Sequence, residues 1–406
     1  MIDVDEAKRL ILEESKVLDV IDVGLAEARG RVLAEDVLAD RDLPPTDRSA
    51  MDGFALRTRD VLEPDHELTV TGEIRAGEPL GTIRVGKGSC VRIMTGAIVP
   101  NGADTVVMVE LTQEDPESGT VKIGGEPKEG QHIRRRGEDV RAGERILQKG
   151  SVIHAPEVAA LASVGRARVK IFRPPLVGVL STGDEVVEPE QVPREHEVRN
   201  SNAWTLLAQL DELDLEGRYL GIAHDTRQEL AEGIQKGLGG DLLLITGGVS
   251  ASRYDLVGEV LAAAGMRLIL HQVAIRPGKP MLVGRHESCL VVGLPGNPVS
   301  TFTDFAVFVA PALRRMMGYS CWDNLEMRAV LAERLKRKPG RTSYHLAKVS
   351  PGEEGVLTAF PVRTMGSGDV VSMSRANAFV ITPGGAHALE AGTRVPTLLW
   401  RDFHLR

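Results

Sequence analysis

At 406 residues the chain is too long for one hydrophobic core, and its length points to about three or four domains. A net charge of −8 argues against nucleic acid as the main partner, although a local basic pocket remains possible. The three cysteines, Cys90, Cys289 and Cys321, are too few and too scattered for a disulfide framework or a metal cluster and suggest a reducing compartment. With a charged, amphipathic start and no apolar run long enough to span a bilayer, the expectation is a cytoplasmic protein with no membrane partner.

Val4 to Leu12 has helical spacing, with Ile11 and Leu12 opposite Asp5, Glu6, Lys8 and Arg9. The prolines of RDLPPTDRSAMDGFAL end that character, and Asp52-Gly53 reads as a turn. Short stretches follow, LTVTGEI, CVRIMTG, DTVVMVEL and GTVKIGG, separated by turn residues, and they predict a small β-rich module over 53–138. Residues 1–52 form a helical N-terminal segment, and 139–174 return to it, with a short helix in APEVAALASVG. From 175 to 320 strands and helices alternate with short connections. This pattern gives an α/β domain with a mainly parallel sheet, closed by one long helix in VSTFTDFAVFVAPALRRMMG. Residues 321–406 return to short strands and Gly/Pro turns, which suggest a final small β-barrel.

The chemistry gathers after the central strands. Their carboxyl ends carry Ser181-Thr182-Gly183-Asp184-Glu185, His224-Asp225-Thr226, Thr246-Gly247-Gly248-Val249-Ser250, Arg276-Pro277-Gly278-Lys279-Pro280 and Pro295-Gly296-Asn297-Pro298-Val299-Ser300. In a parallel sheet these loops share one edge, where open α/β folds bind ligands. Helix N-termini there favour anions, and Arg276 and Lys279 add positive charge. Glu185, Asp225 and Asp255 add oxygen ligands. Acids and bases in one crevice suggest a phosphate ester held with Mg²⁺. The two glycines are read as admitting a ligand close to the backbone. Taken singly, Gly247-Gly248 is an ordinary turn, Ser250 a helix cap and Asp255 a first-turn acid. Five such loops on one edge are what point to a site. The motifs of a P-loop and of a dinucleotide fold are absent, and no His/Cys cluster suggests structural zinc.

The ordered motifs SAMDGFA, RIMTGA, RRRGEDV, LSTGDEV, RNSN, ITGGVS, RPGKP and GLPGNPVS make the chain resemble the MoeA family of molybdopterin molybdenumtransferases, including the gephyrin E domain. The resemblance covers nearly the whole chain. It implies a multidomain α/β plus β architecture: a β-rich, elongated N-terminal region, a molybdopterin-binding α/β domain and a C-terminal β-barrel. It also implies an enzyme that inserts molybdate, or tungstate, into adenylated molybdopterin with release of AMP and a divalent cation such as Mg²⁺. Homodimers are implied, and a molybdopterin adenylyltransferase is a possible partner. By resemblance the catalytic residues are Asp52, Asp139, Glu185, Asp225 and Asp255, the last three holding the metal. The substrate-binding set is Thr95, Thr182, Gly247, Gly248, Ser250, Arg276, Lys279, Pro295, Pro298, Ser300, Arg341 and Ser367, with Ser372 a further resembling position. Many relatives carry lysine where Arg276 stands, and Ser252-Arg253 replace the residues common before the aspartate; both changes bear on oxyanion preference and site shape.

From the residues alone Asp52-Gly53 and Thr95-Gly96 are structural turns, Arg134 to Arg136 read equally as a solvated basic face or as functional, and His224 is a loop residue. An elongated β module can reach its dimer partner's sheet edge, so composite sites are expected, with Asp52 from one chain and Asp255 from the other. Two other readings stand beside the enzyme. One is a scaffold of the gephyrin kind, although this chain has neither that protein's extra adenylylating domain nor its long linker. The other is a pterin-binding module that performs no chemistry.

Overall fold

The computed structural model describes residues 1–249, 256–336, 339–352, 355–385 and 388–401. Ser250, Ser252, Arg253 and Asp255 lie outside the described residues. The chain parts into two compact units. One comprises Asp36–Gln148 and Pro156–Ala167, and the other Met1–Glu35, Lys149–Ala155 and Arg168–Arg406.

The first unit holds the β-rich module. Its sheet runs in the order Thr105–Met108, Gly53–Leu56, Ser89–Ile93, His66–Ile74, Thr120–Ile123 and Thr112–Asp115. Side chains alternate across a strand, so neighbours part to opposite faces. Phe54, Leu56, Cys90 and Val107 join one buried cluster, while Ala55, Val91, Ile93 and Val106 join another. The curled sheet is therefore covered on both faces. Asp52 sits at a bend, but Gly53 is the first residue of a strand rather than part of a turn. A Cβ there would lie 1.9 Å from the Val107 carbonyl oxygen, so the close approach of the neighbouring strand requires glycine.

The second unit is built on a sheet ordered Gly217–Ala223, Val177–Thr182, Leu242–Thr246, Cys289–Leu294, Leu282–His286 and Arg267–His271. The first three pairings are parallel and the last two antiparallel, which gives the mainly parallel sheet expected, with an antiparallel end. Leu242 and Leu244 pack with Ala203, Leu206 and Leu210 of the helix Ser201–Asp211. Leu243 and Ile245 pack on the other face with Leu230 and Ile234 of the helix Arg227–Leu238 and with Val257 and Leu261. Burial on both faces explains why DLLLIT is a continuous apolar run rather than an alternating one. The helices begin where capping chemistry allows. Asp3, Asn200 and Thr226 accept the backbone N–H groups of Glu6, Ala203 and Glu229.

Two features differ from the sequence reading. The long helix after GLPGNP is α-helical over Pro298–Asp304, widens to a π-turn over Phe305–Val309 and resumes over Ala310–Met316. Apolar periodicity does not reveal one inserted residue. The strand Ile275–Arg276 also leaves the central sheet and pairs with Thr342–Ser343. That second sheet closes into a five-stranded barrel of Thr342–Pro351, Leu357–Pro361, Glu326–Leu331, Arg394–Leu399 and Ala378–Thr382. Its interior is lined by Ala329, Ala347, Ala359 and Ala378 among valines and leucines, small enough for a narrow barrel. Among the described residues no helix is long and apolar enough to cross a membrane.

Candidate active site

The carboxyl edge of the central sheet opens into a cleft of about 680 Å³. Of the residues singled out by sequence, Thr182, Glu185, Gly247, Gly248, Pro295, Pro298 and Ser300 line it. The glycines are needed for a reason other than ligand approach. Gly247 and Gly248 have φ of +94° and +63°, and added Cβ atoms would lie 2.4 Å from the Thr182 carbonyl oxygen and 2.6 Å from a Val257 methyl. They let the loop fold tightly onto the protein itself, and that folding shapes the cleft.

Asn200 and Asn202 of the RNSN motif, outside the expected site residues, shape this edge. Asn202 donates from Nδ2 to Thr246 Oγ1 and to the Gly296 carbonyl, both at 2.8 Å, and so ties two of the edge loops together. Asn200 caps its helix and accepts from Ser181 Oγ at 2.9 Å. Two buried polar atoms on residues lining the cleft, Thr182 Oγ1 and Asn202 Oδ1, have no hydrogen-bond partner among the described residues. Buried groups of this kind are uncommon without a bound ligand or water. A cleft of this size with a few convergent polar groups suits a small-molecule ligand.

A second cleft of about 430 Å³ adjoins the first. Pro280, Asn297 and Ser300 line both. Arg276, Lys279, Arg341 and Ser367 line this one, and Ser343 and Tyr344 of the barrel complete its wall. The pairing of Ile275–Arg276 with the barrel strand is what brings the basic loop to Arg341. Arg341 donates to the Ile275 carbonyl at 3.0 Å; desolvation and then the charge of Arg276 lower its pKa. Cations held within reach of each other form a receptor for an oxyanion. Ser367 accepts from Asn297 Nδ2 at 3.0 Å, while its carbonyl accepts from Val299 N–H, so the barrel loop is fastened to the first turn of the Pro298 helix. Ser372 faces neither cleft. It is buried, and its N–H and hydroxyl are both spent on Asp369.

Of the carboxylates, Glu185 lines the first cleft. Gly183 has φ +135°, and a Cβ there would meet Glu185 Oε2 at 2.6 Å, so only glycine lets the Glu185 carboxylate lie back over the loop. Asp225 lines neither cleft; its N–H donates to Asp184 Oδ1 at 3.0 Å. Although its side chain reaches solvent, partial desolvation and then the neighbouring charges of Asp184 and Glu185 raise its pKa. His224 Nδ1 stands 3.5 Å from Asp184 Oδ1. Among the described residues no group of three or more His, Cys, Asp or Glu side chains is arranged to hold a metal ion. The third expected ligand, Asp255, lies outside the described residues.

In the N-terminal unit Asp52 and Thr95 form a local constellation. Asp52 Oδ1 accepts from Thr95 Oγ1 at 2.7 Å and from Thr95 N–H at 2.6 Å, and these bonds lower the Asp52 pKa. Asp139 is ion-paired with Arg134. Arg135 pairs with Asp47 and Arg136 with Asp42, so the three arginines that read as a basic face are each matched by an acid.

Three family models match the chain in order: the MoeA N-terminal region (domain I and II) at 2–165, a probable molybdopterin binding domain at 178–315, and the MoeA C-terminal region (domain IV) at 328–400. The molybdopterin molybdenumtransferase of Bacillus subtilis is 34% identical over 99% of this chain and 94% of its own length. That of Staphylococcus aureus is 34% identical over 98% of this chain and 95% of its own. The crystal structure of the molybdopterin biosynthesis MoeA protein from Pyrococcus horikoshii superposes with a TM-score of 0.82 at 30% identity, covering 99% of this chain and all of that one. The paired clefts thus lie on a scaffold shared along its full length, and the chain belongs to the MoeA family of molybdopterin molybdenumtransferases, enzymes of molybdenum cofactor biosynthesis.

Proposed function

We propose that this enzyme inserts molybdate into adenylated molybdopterin and releases AMP. The observation that carries the reading is the junction of the two clefts. A roomy cleft with unpartnered Thr182 and Asn202 atoms meets a basic one across Ser300, Asn297 and Pro280. The first suits the pterin and its phosphates, and the second suits a compact dianion. Thr182 and Asn202 orient the pterin. Arg276, Lys279 and Arg341 hold molybdate beside it, with Ser300 between the two ligands. The two dithiolene sulfurs bind molybdenum, and one molybdate oxygen leaves as water with their protons. Water adds to a phosphorus of the anhydride, a P–O bond breaks, and AMP and the pterin monophosphate part, with the proton going to solvent.

Mg²⁺, when bound, would neutralise charge developing on the anhydride oxygens. Glu185 and Asp225, with Asp255, would hold it. The raised Asp225 pKa beside Asp184 and Glu185 supports that assignment, because a cation relieves like charge crowded on adjoining loops. We place the chemistry in a homodimer whose composite sites take Asp52 from one chain and the α/β carboxylates from the other. The test is AMP release from adenylated molybdopterin with molybdate and tungstate supplied in turn. Release that requires the oxyanion supports the reading, and pterin binding without AMP release refutes it.

A further inference from the structure

Asp304 ends the helical segment that starts in the GNPVS loop and carries Ser300. Residues four apart share a helix face, so Asp304 lies one turn below Ser300, which lines both clefts. Asp304 is completely buried, and neither carboxyl oxygen has a hydrogen-bond partner among the described residues. It is a group the proposed chemistry does not use.

What it touches is the basic loop. Gly278 lies between Arg276 and Lys279, is buried, and has φ +112°. A Cβ on Gly278 would fall 2.0 Å from Asp304 Oδ1 and 2.7 Å from Oδ2. The backbone of the oxyanion loop therefore rests directly on this carboxyl group. The next residue begins the π-turn Phe305–Val309. Such insertions recur at functional sites because they re-aim side chains on a helix.

Burial drives the Asp304 pKa well above the ordinary carboxylate value, with no stabilising cation among the described residues. Its charged form would sit beneath a pocket meant for an anion and would draw the loop's cations inward. As the uncharged acid it supports the loop without competing with the ligand. A residue placed there only to fill space would not need to be an acid, since an unpaired buried polar group is costly.

We propose that Asp304 is a positioning residue for the oxyanion cleft: packed behind Gly278 as the carboxylic acid, it holds the Arg276–Pro280 loop so that Arg276 and Lys279 are presented to molybdate. This rests on the assignment of that cleft to molybdate.

The experiment compares full-length wild type, Asp304→Asn, Asp304→Ala and Lys279→Ala by calorimetric titration with molybdate and, separately, with adenylated molybdopterin. Asp304→Ala should weaken molybdate binding about tenfold while pterin affinity stays within about twofold. Asp304→Asn, equal in shape and permanently neutral, should restore molybdate binding. A double-mutant cycle adds a measurement of the contact itself. Gly278→Ala should weaken molybdate binding less in the Asp304→Ala background than in wild type, because the backbone strain of alanine at that φ is common to both. Equal losses for molybdate and pterin, failure of asparagine to rescue, or a cycle with no coupling would each overturn the positioning role. Molybdate binding that is lost with Lys279→Ala but untouched by Asp304→Ala would overturn this inference and leave the cleft assignment standing. Wild type that binds no molybdate would overturn both.

Discussion

Asp52 and Asp304 are the same residue type held in opposite conditions. In the N-terminal module Asp52 is exposed and accepts two hydrogen bonds from Thr95, which keep it ionised. Beneath the oxyanion loop Asp304 is fully buried, accepts no hydrogen bond among the described residues, and has its pKa driven well up by desolvation. Hydrogen bonding to the charged form and burial push a pKa in opposite directions. The surroundings therefore favour the charged form of one aspartate and the protonated form of the other, in keeping with the separate roles proposed for them. The first also lies in a motif visible in the sequence, whereas the second lies in an apolar helix with nothing beside it to mark it.

The comparison breaks most sharply if Asp52 can be replaced. Asp52→Ala should leave the melting temperature unchanged, because the residue is exposed, and should slow AMP release by about 10² or more in single-turnover assays. Retention of near-wild-type rate would return Asp52 to the status of a turn residue. Mixing Asp52→Ala chains with Glu185→Gln chains sharpens the point. If sites are composite and exchange is complete, about a quarter of wild-type activity should reappear, since half the dimers regain one intact site. If both residues act from one chain, none returns. Co-purification of differently tagged chains establishes that exchange has taken place.

Lys279→Ala should raise the molybdate dissociation constant about 10- to 100-fold, the worth of one charge-assisted hydrogen bond, with a smaller change for the pterin. Equal changes would assign Lys279 to phosphate instead. Metal dependence should follow Asp225. Because its pKa is raised, its proton is lost at a higher pH than that of an ordinary aspartate, and apparent Mg²⁺ affinity should rise with pH as that proton leaves. Asp225→Asn should flatten this dependence in an activity titration.

A further effect concerns stability. Asp304 has a folded-state pKa above its unfolded value, so it binds a proton on folding. Its favourable contribution is complete below the unfolded pKa and declines as pH rises toward the folded one. Asp304→Asn should therefore melt higher than wild type at pH 8, with the gap closing near pH 4. The upper limit is about 1.4 kcal/mol for each pH unit of that interval. A gap that does not change with pH would mean that Asp304 is not carrying a proton.

The fold was legible where burial writes itself into the order of residues. Leu242 to Ile245 form an unbroken apolar run because both faces of that strand are packed. The barrel read correctly from short strands and turn residues. The π-turn at Phe305–Val309 did not, since an apolar helix gives no signal when its hydrogen-bond ladder shifts by one residue. Gly53 and Gly247-Gly248 were visible as glycines, yet their purpose was not. Close approach to Val107, Thr182 and Val257 depends on distant segments. In the site, Thr182, Glu185 and Ser300 were reachable from strand ends, whereas the meeting of Arg276 with Arg341 required the Ile275–Arg276 strand to leave one sheet for another. Asn202 could have been found, because RNSN places an amide in the first turn of a helix at the ligand-binding edge. Nothing in the local sequence marks Asp304 as resting on Gly278.

The most direct test of the account is the stoichiometry of the reaction. Purified enzyme, adenylated molybdopterin, Mg²⁺ and limiting molybdate should yield one AMP for each molybdate incorporated, with AMP release stopping when molybdate is exhausted. AMP released at full rate without molybdate, or molybdate incorporated with no AMP formed, would contradict the coupling of the two clefts in one reaction.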